Sequence, residues 1–177
     1  MRPTNFRRRF ISEQEGGVTI EFVILAPLVL YFFFMAIEAG LWSAREITLR
    51  RATNLAVRDV RLATGDPPDY EEIKSLICER AFFKGGCLDS IRIDMRAMPV
   101  SEWANISGPA PCVDRSEEFD PTNSFLPGQQ NNLMIMRVCR LFEPILPGTG
   151  LGRRLPEGSA GEYGVRINTA FVTEPLG

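Results

Sequence analysis

One charged residue, Glu21, stands inside the longest apolar run of this 177-residue chain, and that combination constrains the fold more than any other feature. The run extends from Val18 to Trp42, with no charge between Phe22 and Ile37 and a second acid, Glu38, close to its far edge. At about 1.5 Å rise per residue, such a stretch crosses a hydrocarbon core of roughly 30 Å as a single helix. An acid inside a span costs on the order of 2.5–3.5 kcal/mol at the centre and less near the edge. Two readings account for Glu21. It pairs with a positive charge on a neighbouring helix, or, in the first turn of its own helix, it faces the positive end of the macrodipole and reaches toward water.

The flanking charges set an orientation. Arg2, Arg7, Arg8 and Arg9 precede the run and place the N-terminus in the cytoplasm by the positive-inside rule. Residues after Trp42 then face the periplasm or exterior, and Trp42 suits the far interface as an aromatic anchor. Arg45, Arg50 and Arg51 on the far side weaken this asymmetry. A cleaved secretory signal is the rival reading; its apolar region is usually about 7–15 residues before a small-x-small site, shorter than this run. Pro27 is compatible with a span, where neighbouring groups take up the freed carbonyl, and it predicts a bend or a loosened turn.

Roughly 130 residues follow the apolar run, enough for one small core. The organisation read from the chain is a basic cytoplasmic leader (1–16), a transmembrane helix (17–42) and one α+β domain (43–177) on the periplasmic side. The net charge of −2 gives no support for nucleic-acid binding. Four cysteines, Cys78, Cys87, Cys112 and Cys139, all fall after the run, and an even set in an oxidising compartment favours disulfides. Three pairings are open; the neighbours Cys78 and Cys87 suit a short loop, which leaves Cys112 with Cys139. The chain has no histidine and no Cys-x-x-Cys pair, which argues against a zinc site and excludes Ser-His-Asp and Cys-His arrangements. No cofactor or metal is expected. Nor is catalysis: Glu71, Glu72 and Glu79 near Asp69 read as the polar face of a capped helix.

Helical character continues past the run. Ser43 to Thr64 holds neither proline nor glycine, and Leu49, Ala52, Ala56, Val60 and Ala63 form an apolar stripe at steps of three and four. Arg50, Arg51, Arg58 and Arg61 fall opposite, and Gly65-Asp66-Pro67-Pro68 marks the stop. Asp69 with Glu72 resembles a capping box for a second helix, whose apolar face is Tyr70, Ile73, Leu76, Ile77 and Ala81. Ile91 to Ala97 alternates as a half-buried strand, Leu133 to Phe142 is apolar on both faces apart from Arg137 and Arg140, and Val165 to Phe171 alternates again. Segments 99–132 and 143–161 read as long loops. The expected architecture is a long N-terminal helix, a short helix and an antiparallel sheet of three or four strands.

Motifs along nearly the whole chain resemble the TadE-like family, minor pseudopilins of the tight-adherence (Flp) pilus system. The resemblance begins at Glu15-Gly16-Gly17-Val18-Thr19-Ile20-Glu21-Phe22, where Glu21-Phe22 is similar to the Glu-Tyr pair of the Flp prepilins. Basic leader, glycine, four further residues, glutamate and a long apolar helix is the spacing that prepilin-type peptidases recognise. It continues in Leu76-Ile77-Cys78, in Cys87-Leu88 leading to Ile91-Arg92-Ile93-Asp94, in Phe125-Leu126-Pro127-Gly128 and in Thr169-Ala170-Phe171-Val172-Thr173-Glu174-Pro175. Cys112 and Cys139 have no place in the family pattern. The resemblance implies a pilin-like fold in the bacterial inner membrane, with cleavage between Gly16 and Gly17 and assembly through Glu21 and Phe22. The implied partners are other pilins and pseudopilins of the system, the prepilin peptidase, the inner-membrane assembly platform and membrane lipid. The alternative is an uncleaved membrane anchor presenting a disulfide-bonded binding domain.

Overall fold

The structure, a computed structural model, describes residues 17–63, 68–99, 109–114, 125–126, 132–146 and 161–173. Among the described residues, three helices and three strands follow in the order α1 (Gly17–Leu62), α2 (Tyr70–Arg80), α3 (Cys87–Ser90), β1 (Ile91–Ala97), β2 (Leu133–Phe142) and β3 (Tyr163–Val172). This is an α+β fold with a single antiparallel sheet in the order β1-β2-β3. The leader, the glycine–proline stop at 65–67 and most of both long loops lie outside the described residues.

The chain divides into two units, Met1–Ile37 and Glu38–Gly177. The described part of the first is bare apolar helix. Phe22 is 69% exposed, and none of the most apolar 18-residue window of α1 is buried. So large a continuous apolar surface exceeds what a soluble chain leaves in water. By length and composition α1 is able to cross a membrane. It is helical straight through Pro27, whose missing N–H leaves the Val23 carbonyl without its usual donor.

The second unit is built around the other half of α1. Leu49, Ala52, Ala56 and Val60 are buried there, as the period predicts, and Thr53 and Val57 widen the stripe. These residues share one core with Ile73 and Ile77 of α2 and with Ile93, Met136, Val138 and Ile167 of the sheet. Burying an aliphatic side chain contributes about 1.5–3 kcal/mol, so this cluster is the main stabilising element of the unit. Asp69 caps α2 by accepting the Glu72 N–H at 2.7 Å. An Arg80–Asp59 ion pair at 2.6 Å joins α2 to α1.

Register determines which residues face the helices. Ile93 opposes Val138, and Val138 opposes Ile167, so the central strand β2 carries the core between two half-buried neighbours. The opposite face of β2 presents Ile135, Arg137, Cys139 and Leu141, all buried. Segment 109–114 lies over that face. Ala110 is 1% exposed, its carbonyl accepts from Arg166 Nε at 2.9 Å, and the Cys112 carbonyl accepts from Arg92 at 3.3 Å. Beside it, Asp94 and the cross-strand Arg137 form a buried ion pair with contacts of 2.6 and 2.7 Å. At the outer edge of β1, Phe125 bridges to Met95 and the Leu126 N–H reaches the Met95 carbonyl at 2.8 Å.

Candidate functional site

Of the residues that mark the N-terminal motif, Gly16 lies outside the described residues and Gly17 begins α1. A side chain at Gly17 would meet nothing within 4 Å, so no packing within the fold demands glycine there. Glu21 sits one helical turn further on, and the first turn of α1 holds no acid. Dipole stabilisation falls off within the first turn, which weakens that account of Glu21. Glu21 and Phe22 are both exposed, and among the described residues Glu21 has no ion-pair partner. Spacing of i and i+4 places residues 17 and 21 on one side of the helix, about 6 Å apart along the axis.

A second group of charges occupies the start of the other unit, and sequence reasoning had not singled it out. Glu38 is 2% exposed, and neither carboxylate oxygen has a hydrogen-bond partner among the described residues. Two turns later, Arg45 sits among three aromatic rings, with its guanidinium carbon 4.8 Å from the centre of Phe142, 5.5 Å from Tyr163 and 5.6 Å from Phe83. It donates to the Tyr163 hydroxyl and, at 3.1 Å, to the Glu143 carbonyl. Arg140 stacks on the same Phe142 ring at 4.6 Å and donates to the Gly85 carbonyl at 3.1 Å. Burial pushes the Arg140 guanidinium down to about 10, with the nearby Arg45 charge adding to the effect. Cation–π contacts of this kind contribute on the order of 0.5–2 kcal/mol each, and here they tie α1 to the ends of β2 and β3.

Trp42 lies between these two charges on the helix. It packs half-buried against the core, so part of its ring serves the fold as well as any interface. The series Glu38, Trp42, Arg45, Leu49, Ala52 runs in steps of four and three, which means that the buried stripe begins eleven residues before Leu49. That spacing was present in the sequence. It goes unnoticed because an acid and an arginine do not count toward an apolar pattern.

The cysteines form two bridges. Cys78 joins Cys87 with 5.7 Å between Cα atoms, and Cys112 joins Cys139 at 5.0 Å. The first ties the end of α2 to α3, across a turn where Gly86 adopts φ +60° in the left-handed region favoured by glycine. The second holds segment 109–114 on the outer face of β2. Asp69 and Glu71, acids considered above for chemistry, act as helix cap and as partner of Lys74 at 3.4 Å. A hollow of about 370 Å³ is lined by Tyr70, Lys74, Leu88, Asp89, Arg92 and Asp114, among others. Burial raises the Tyr70 phenol above its ordinary value, and a backbone hydrogen bond at Ile93 partly opposes the shift.

Comparison with known proteins adds one finding. No curated protein and no solved structure matches the chain. The model of a family described as TadE-like protein matches residues 16–58, from the Gly16-Gly17 pair through the apolar run and most of the core stripe. Over these residues the chain is similar to the TadE-like family.

Proposed function

We propose that this protein is a minor pseudopilin-type assembly subunit of a tight-adherence pilus. It carries no catalytic function, stands in the bacterial inner membrane through residues 17–42 and directs its disulfide-bonded domain to the periplasm. The TadE-like match points to a Tad pilus-associated protein, and one helix is long and apolar enough to span a membrane. The single observation that carries the finer reading is the state of Glu21: an exposed carboxylate with no ion-pair partner among the described residues, one turn from Gly17, within the apolar run of α1. Cleavage after Gly16 creates an ammonium group close to that carboxylate. Pairing between the ammonium of one subunit and the carboxylate of the next offsets the cost of the acid and sets the stagger between helices.

The N-terminal residue of protein isolated from membranes tests this. Gly17 is the expected result, and Gly16→Val should retain the leader, visible as a slower band on a gel. Met1 on fully competent material would refute the processing step and leave an uncleaved anchor. A start near Gly40 would indicate a secreted protein.

A further inference from the structure

Within the second unit, the exposed charges of α1 and α2 divide into those with a partner and those without. On α1, Glu46 pairs with Arg50 at 3.0 Å, Asp59 pairs with Arg80 of α2 at 2.6 Å, and Arg61 is engaged as well. On α2, Glu71 pairs with Lys74 at 3.4 Å. Two arginines of α1, Arg51 and Arg58, and two acids of α2, Glu72 and Glu79, are left over. All four are exposed, and none is in an ion pair among the described residues.

Their spacing matches. Arg51 and Arg58 are seven residues apart, as are Glu72 and Glu79. Two helical turns put the members of each pair about 10.5 Å apart on one side of their helix. Ile47, Arg51, Asn54, Arg58 and Leu62 recur at steps of four and three along one exposed ridge of α1, with no acid on it. Glu72, Ser75 and Glu79 follow the same steps on α2, with no base on that line.

We infer that these are the two halves of one contact between copies of this chain: the α1 ridge of one copy lies along α2 of another, with Arg51 and Arg58 opposite Glu72 and Glu79. A second copy is the occupant because one chain carries both halves, equal in spacing and opposite in sign, without joining them itself. A net charge of −2 leaves little repulsion between copies. Exposed ion pairs are individually weak, so the charges fix the register. Ile47, 66% exposed, and Leu62, 53% exposed, add apolar surface at the two ends of the ridge. Each copy offers both surfaces, so the contact is head-to-tail and repeats from one copy to the next. The inference concerns the second unit alone and goes beyond the proposed function, since it needs no cleavage at Gly16.

The test uses the full chain in native membranes, with the photoreactive residue p-benzoylphenylalanine in place of Asn54, between the two arginines. Illumination should give a cross-linked dimer in which the peptide joined from the other copy falls within Tyr70–Arg80. Reversing either side, as R51E/R58E or as E72R/E79R, replaces two attractions by two repulsions and should lower the dimer yield by about tenfold. The quadruple variant R51E/R58E/E72R/E79R restores opposite signs and should recover the dimer. Formation of both disulfides, read by thiol alkylation, checks that each variant folds. A yield that survives either reversal, or that the folded quadruple variant does not recover, overturns the inference. So does a cross-link from position 54 to a different protein, which would assign the ridge to that partner, and so does the absence of any cross-link there.

Discussion

Removing the Cys112–Cys139 bridge should destabilise the second unit more than removing Cys78–Cys87, because it closes the longer loop. The sequence separations are 27 and 9 residues. In the chain-entropy account these loops correspond to about 3.5 and about 2.6 kcal/mol respectively at 25 °C. Direct Cys→Ala comparison confuses this with packing, since Cys139 is fully buried and its truncation leaves a small void. A cleaner design keeps one bridge at a time. C78A/C87A protein is compared oxidised and reduced to isolate the longer bridge, and C112A/C139A protein likewise to isolate the shorter. Urea unfolding in detergent micelles, followed by fluorescence of the half-buried Trp42, reports the midpoint. With a slope of roughly 2–3 kcal/mol per M, reduction of the longer bridge should lower the midpoint by a little over 1 M. A reversed order, or a loss below about 1 kcal/mol for the longer bridge, would refute the reasoning. The carbonyl bonds from Arg92 and Arg166 would then be sufficient to hold segment 109–114 without the sulfurs.

Three further outcomes are expected. Asp94→Ala strands the buried Arg137 and should cost about 3–5 kcal/mol, whereas the double change D94L/R137M should recover most of that; equal losses in both would disprove the charge argument. Arg140→Met should leave urea stability unchanged or raised below pH 10, because a folded-state value of about 10 means that the fold penalises the charged form throughout that range. The penalty fades as pH rises from about 10 toward the ordinary arginine range, and a loss above about 1 kcal/mol at neutral pH would show that the Gly85 carbonyl bond dominates. Glu21→Ala should leave processing at Gly16 largely intact while abolishing incorporation into pili; normal piliation by that variant, scored by electron microscopy, would exclude the proposed role of the carboxylate.

Much of the fold was legible because its elements repeat simple periods. The stripe of α1, the Asp69 cap and the alternation of β1 and β3 each follow from spacing alone, and β2 declared itself central by being apolar on both faces. What covers its outer face was not legible. Ala110 and Cys112 sit in a proline-rich segment without period, and the bridge to Cys139 and two arginine bonds help to place it. The aromatic setting of Arg45 was missed for a related reason: Phe83, Phe142 and Tyr163 come from distant parts of the chain, and no local pattern connects them. Glu38 was noticed only as an acid at the margin of the apolar run, although its burial follows from its place on the same helical face as Leu49.

That α1 supplies a wall of the core has a practical consequence for anyone wishing to work with the domain in isolation. A fragment beginning after the first helix would retain the sheet and both bridges but would leave Ile93, Met136 and Ile167 open to water, and it should aggregate. A fragment beginning just before Glu38 would keep that wall while shedding most of the apolar run. Solubility and native packing are thus decided by some two dozen residues of a single helix, and the border between them falls in its middle.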